Sequence, residues 1–212
     1  MAKVALFLID GFEETEALAT VDILRRGEVD VTTVSLTGGE RVMGKHSVPV
    51  IADALFEDVK GRPFDMLVVP GGTIAYTEHE GLLDLVRSYD AEHKFLAAIC
   101  AAPAVFGKAG ILAGKRAVCY PGMESWLAGA VVGREIVETD GHVTTAKGPA
   151  TTPFFALRLL ELLRGKEAAV GGRNRTHFSF GVKCDCGQQG VVAVVVFCHF
   201  IGCPFTSQSH VC

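Results

Sequence analysis

The chain lacks the marks of several whole classes of protein. It has no excess of positive charge: 20 Lys and Arg against 24 Asp and Glu give a net charge of −4. No general basic surface is available to a phosphate backbone, and nucleic acid is not an expected partner. The opening MAKVALFLIDGFEE holds one lysine and a short apolar run that stops at Asp10. That run is too short for a secretory leader core, so a cytoplasmic protein is expected. The apolar segment GVVAVVVFCHFIGCPF falls short of the roughly 20 residues that cross a bilayer and contains His199 and Pro204, so no membrane association is expected either. Cysteine is scarce where it would matter for a disulfide framework. Five of the seven lie beyond residue 183, leaving Cys100 and Cys119 for the main body. Paired C-x-x-C knuckles are missing, and Cys184, Cys186, Cys198, His199 and Cys203 fit no zinc spacing well, so no metal is expected. Finally, residues 186–212 contain no Lys, Arg, Asp or Glu at all. This foreign composition sets 171–212 apart as an atypical cysteine-rich tail, expected to be disordered or outside the fold of residues 1–170.

What remains is a globular composition, 49% hydrophobic and 21% charged, over a length that suits one domain with a core of its own. KVALFLI at 3–9 predicts a strand, followed by Asp-Gly, a cluster of acids and an alanine- and leucine-rich helix that closes at Arg25-Arg26-Gly27. VDVTTVSL at 29–36 is a β-branched strand, and RVMGKHSVPVIAD, with its turn residues and Pro49, predicts an edge hairpin. FDMLVV at 64–69 and FLAAI at 95–99 are continuously apolar, as strands covered on both faces are, with a helix at about 79–90 between them. Asp140-Gly141 signals a second hairpin, and ATTPFFALRLLELLRG at 150–165 has helical spacing with a closing glycine. The repeated β-α-β order predicts a flavodoxin-like, doubly wound α/β fold: a mostly parallel sheet with helices on both faces.

Three segments carry the chemistry. FLAAICAAPAVFGKAG places Cys100 directly after a strand and before a helix, with Ala98, Ala101 and Ala102 around it. Small neighbours permit a strained nucleophile elbow, and a helix start beside the thiol is expected to lower its pKa from about 8.5. The residues alone leave open whether Cys100 is such a thiol or a small buried core residue. Glu13, Glu14 and Glu16 occupy the first turn of the first helix, where acids also stabilise the helix dipole. Pro70-Gly71-Gly72 ends the third long strand and reads equally as a tight turn or as an exposed backbone N–H. All three segments lie at the carboxyl edge of the predicted sheet, where α/β folds open their crevice. An N–H from the glycine pair together with that of Ala101 would make an oxyanion site.

Taken together, GFEETE at 11–16, VVPGG at 68–72, AAICAAP at 97–103 and AKGPAT at 146–151 resemble the DJ-1/ThiJ/PfpI superfamily. The likeness is greatest to its Parkinsonism-associated deglycase branch, which is glyoxalase III-like, and it runs in order over about residues 3–169. The resemblance implies that Cys100 is the nucleophile, Glu16 its partner carboxyl, and Gly72 and Ala101 the oxyanion donors. It implies a homodimer without a cofactor. The implied activities are conversion of methylglyoxal or glyoxal to hydroxy acids, removal of early glycation adducts from proteins or amino acids, and redox-linked chaperone behaviour as a stress protein.

Two departures bear on mechanism. Protease- and chaperone-like relatives carry a His directly after the cysteine, whereas Ala101 stands here and argues against a Cys-His-acid triad. Where the branch places a His before a Pro, this chain has Tyr120-Pro121, and a phenol with a pKa near 10 is no base at neutral pH. His46 lies near the position of a branch arginine and is expected to face solvent on its hairpin. The alternative to an enzyme is a sensor or chaperone in which the same thiol is oxidised and held by Glu16. Glutamine amidotransfer, which expects glycines around the cysteine and a downstream His-Glu pair, does not fit AICAA.

Overall fold

The computed structural model describes residues 1–169 and two short paired strand segments, Phe178–Ser179 and Phe197–Cys198. The other residues of the tail, with their candidate metal ligands, lie outside the described residues.

The chain begins with β1 (Lys3–Leu8), α1 (Glu14–Arg26) and β2 (Asp30–Ser35), then the short strands β3 (Arg41–Met43), β4 (Pro49–Ile51) and β5 (Ala54–Leu55). A single-turn helix α2 (Phe56–Val59) leads to β6 (Met66–Val69), α3 (Glu80–Ala91) and β7 (Phe95–Ile99). There follow α4 (Pro103–Ala109), β8 (Arg116–Ala117), β9 (Val131–Val132), β10 (Val137–Asp140), β11 (Val143–Ala146) and α5 (Thr152–Arg164). The main sheet has the order β10-β11-β7-β6-β1-β2-β5 and is parallel except for β10, which pairs antiparallel with β11 through the Asp140-Gly141 turn. The doubly wound reading of the sequence is therefore what the chain adopts.

Topology explains where the site lies. From β1 the chain moves to β2 on one side, and from β6 to β7 on the other. Right-handed crossovers then put α1 and α3 on opposite faces and leave a crevice at the switch point between β1 and β6. Cover on both faces accounts for the unbroken burial of Met66–Val69 and of Val4–Leu8. α1 packs with α5 and α3 with α4. At the close of α1, Gly27 leaves room for the Leu160 side chain, which a Cβ there would strike.

One expectation changes in detail. The hairpin of β3 and β4 exists, but it forms its own two-stranded ladder rather than an edge of the main sheet, whose edge is β5. It is strapped to the loop after β1 instead. Gly11 N–H donates to Met43 O at 2.8 Å, Lys45 N–H to Phe12 O at 2.8 Å, and Met43 N–H to Asp10 Oδ1 at 2.8 Å. These bonds swing the hairpin tip, Lys45-His46, over the crevice.

Candidate active site

Cys100 follows β7 with φ +63°, one of four non-glycine residues with positive φ among the described residues. A left-handed conformation costs a residue with a Cβ roughly 1–3 kcal/mol, and it persists only where the surroundings fix it. Here they do: Cys100 N–H donates to Ala146 O at 2.9 Å, and its carbonyl accepts from Tyr120 N–H at 2.8 Å. The elbow predicted from the small residues around Cys100 is thus held by β11 on one side and by the segment before Pro121 on the other.

The three acids of the first turn divide into three roles. Glu13 caps α1, its Oε2 accepting Glu16 N–H at 2.6 Å. Glu14 turns outward to His46, accepting from its backbone N–H at 2.7 Å and meeting its Nδ1 at 2.9 Å. Burial pushes the Glu14 carboxyl up, but these bonds outweigh it and leave the group below its ordinary range. Glu16 points inward with no exposed surface. Its Oε2 accepts Gly71 N–H at 2.7 Å, while Oε1 is buried without a conventional hydrogen-bond partner and its titration is tied to the neighbouring Cys100 thiol.

Gly71 and Gly72 bring the third strand of the crevice close. A Cβ on Gly71 would stand 2.6 Å from Cys100 Cβ and 2.8 Å from Glu16 Oε2, so only glycine lets these two groups meet. Gly72, at φ +94°, abuts the backbone of residues 11–13. The N–H groups of Gly72 and Ala101 lie near enough to the Cys100 sulfur to favour its ionised form. Cys100, Glu16, Gly72 and Ala101 are therefore brought together as a single cluster.

The electrostatics differ from the sequence expectation at the thiol. Burial first, then the charge of Glu16 and the hydrogen bond to it, push Cys100 up to about 12 despite the N–H groups of Gly72 and Ala101. The lowering anticipated from a helix start does not operate. α4 begins only at Pro103, which has no N–H, and the amides of Ala102 and Ala104 are already bonded to the carbonyls of Ile99 and Ala101. Burial also raises Glu16, to about 7, with the Glu13 charge adding to the rise and the bonds from Gly71 and Cys100 opposing it. Below about pH 7 both groups hold their protons, and above it the carboxyl gives up its own while the thiol keeps its proton.

Cys100, Gly72 and Ala101 open onto a cavity of about 430 Å³, lined also by Lys45, His46, Tyr120 and Met123, while Glu16 lies buried behind the lining. Tyr120 is half exposed and forms a wall beside Gly148. His46 is exposed, as expected, but is paired with Glu14. Lys45 was not singled out by the sequence: its Nζ donates to Gly72 O at 3.0 Å. Its place in a Gly-Lys-His turn two positions from a glycine-poor strand gave no signal of this. Among the described residues, Glu13, Glu14 and His46 bring three possible ligand atoms within 4.8 Å. Glu13 and Glu14 are already committed to the cap and to His46. No helix of the described residues is long and apolar enough to cross a membrane.

Residues 2–162 match the DJ-1/PfpI family, a span that contains the whole of this cluster. The chain belongs to the DJ-1/PfpI family. It is 39% identical over 173 residues to Protein DJ-1 homolog B of Arabidopsis thaliana, an alignment covering 79% of this chain but only 40% of that longer protein. With Protein dj-1beta of Drosophila melanogaster it shares 38% over 173 residues, covering 79% of this chain and 92% of the relative. The structure of oxidized Toxoplasma gondii DJ-1 superposes with a TM-score of 0.81 at 30% identity, covering 85% of this chain and all of that one, 100%. DJ-1/PfpI membership extends to residue 162, so the tail from 171 lies outside the matched region.

Proposed function

We propose that this DJ-1/PfpI protein is a cofactor-independent, cysteine-dependent glyoxalase and deglycase acting on methylglyoxal, glyoxal or early glycation adducts. The observation that carries the reading is the pairing of a nucleophile held in an elbow with a carboxyl raised to about 7 and two N–H groups aimed at the same sulfur. As the sulfur of Cys100 adds to the aldehyde carbon, its proton passes to the Glu16 carboxylate, and the C–S bond replaces the carbonyl π bond. The resulting oxyanion is taken by the N–H groups of Gly72 and Ala101 and then protonated. Glu16 next carries a proton from the former aldehyde carbon to the adjacent carbonyl carbon while the hydroxyl proton passes to the adjacent carbonyl oxygen, giving the thioester of a 2-hydroxy acid. Water then splits the C–S bond and releases a 2-hydroxy acid and the free thiol. The net change is addition of one water to the oxoaldehyde. A carboxyl with a pKa near neutrality serves both directions of proton transfer, which neither Tyr120 nor the absent His of a triad supplies.

The test is lactate formation from methylglyoxal by the purified full chain without glutathione or added metal. Lactate above the buffer rate, lost in Cys100→Ser, supports the reading, and a rate equal to buffer refutes it. A sensor reading has its own support: the same two N–H groups and a protonated Glu16 would hold the oxygens of a sulfinate, and the Toxoplasma gondii relative was solved oxidized. A homodimer in the cytoplasm completes the proposal, with light scattering on the purified chain as the check on assembly.

A further inference from the structure

The cavity is far larger than methylglyoxal requires. A volume of about 430 Å³ falls in the range, roughly 300–1,000 Å³, of sites that enclose much larger ligands. Its charge is also uneven. Of the two basic residues on its lining, His46 is engaged by the Glu14 carboxylate, with Nδ1 to Oε2 at 2.9 Å. Glu13, the acid on the lining, turns one oxygen to the Glu16 N–H at 2.6 Å. Lys45 is different: its ammonium rests on a neutral acceptor, the carbonyl of Gly72, at 3.0 Å. Among the described residues it forms no ion pair with a carboxylate. It is nevertheless close enough to Glu16 to pull that carboxyl's pKa down. A cation with two remaining N–H donors therefore stands at the wall of the cavity that holds the nucleophile, anchored to the same glycine whose N–H faces the sulfur.

We infer that Lys45 is a specificity-determining residue that selects oxoaldehydes bearing an anionic arm, a carboxylate placed a few bonds beyond the reacting carbonyl. The inference rests on the aldehyde chemistry proposed for Cys100 and names its substrate class. The geometry fits an extended substrate. The aldehyde carbon meets the sulfur of Cys100, the arm crosses the cavity, and its carboxylate accepts from Lys45 Nζ, a charge-assisted bond in a partly enclosed site. Gly72 serves both ends, giving its N–H toward the sulfur and its carbonyl to the anchoring ammonium.

The probes are γ,δ-dioxovalerate, which is methylglyoxal extended by a carboxylate-bearing arm, and propylglyoxal, an uncharged analogue of similar length. The quantity read is the ratio of kcat/KM for the first to that for the second, in the native protein, Lys45→Met and Lys45→Arg. The ratio is expected to fall about tenfold in Lys45→Met, through KM, as for loss of a hydrogen bond to a charged group. Lys45→Arg should restore most of it. A ratio unchanged within about twofold in Lys45→Met overturns the inference. A parallel loss on both probes does so too, since it would make Lys45 a prop for Gly72 only. Binding of γ,δ-dioxovalerate to Cys100→Ala protein, followed by calorimetry with and without Lys45→Met, decides the point independently of turnover. Absence of turnover in every form then refutes the aldehyde chemistry alone, whereas equal binding with and without Lys45 refutes the role given to the lysine.

Discussion

Glu16→Gln should make the protein more stable at pH 8 while removing its activity. The reason lies in the burial of the carboxyl. Glu16 is fully enclosed, and its pKa is raised from 4.5 to about 7, chiefly by desolvation. In the unfolded chain the group ionises near its ordinary value, so between those two points the folded state binds the extra proton and stability falls as pH rises. The stabilising contribution is therefore complete below about pH 4.5 and lost once the pH has passed about 7. At about 1.4 kcal/mol per pH unit, this shift corresponds to roughly 3 kcal/mol. For a domain of this size that is a change in Tm on the order of 5–10 °C. Glutamine keeps an oxygen to accept the Gly71 N–H and has no proton to lose. The assay is urea or thermal unfolding of the native protein and Glu16→Gln at intervals from pH 4 to pH 8. The two should be alike at the acid end and diverge in favour of the variant as pH rises, because only the native protein carries a buried carboxyl that must ionise there. A difference independent of pH, or a variant less stable at pH 8, would refute the assignment of a buried, ionising Glu16. Turnover in the same variant should drop by about 10²–10⁴, the usual cost of removing acid–base help.

Other outcomes follow from neighbouring contacts. The kcat/KM for methylglyoxal should rise with pH through about 7, as Glu16 becomes the base that receives the thiol proton, and a flat profile from pH 5.5 to 8 would exclude it from that role. Gly71→Ala should leave a folded protein by circular dichroism but cut turnover at least about a hundredfold, because the new Cβ needs the space where Cys100 and Glu16 meet. Limiting peroxide should oxidise Cys100 before Cys119, as mapped by peptide mass. Of the two, Cys100 alone lines the cavity and has the Glu16 carboxyl beside it to take its proton; the advantage does not come from the thiol pKa, since burial pushes both thiols up, Cys100 to about 12 and Cys119 to about 11. Oxygen gained first at Cys119 would contradict the site.

Much of the architecture was legible in the order of residues. Continuous apolar runs such as MLVV and FLAAI report strands covered on both faces, and Asp140-Gly141 or a closing Gly165 report turns, because these signals act over a few neighbouring residues. The elbow at Cys100 was legible for the same local reason: small residues around it permit φ +63°. The identities of Glu16, Gly72 and Ala101 came from a resemblance of motifs, and tertiary structure supplied their meeting. What sequence order could not decide is how distant segments set each other's energy. The thiol's pKa was expected to fall at a helix start, yet it rises, because burial and the Glu16 charge outweigh the two amides within reach while α4 starts too late to help. Likewise Lys45 looks like any hairpin lysine until bonds from the hairpin to Asp10, Gly11 and Phe12 carry it to Gly72. Local propensity and apolar pattern are written residue by residue. Desolvation, charge coupling and the distance between side chains far apart in sequence exist only once the sheet has brought β1, β6 and β7 side by side.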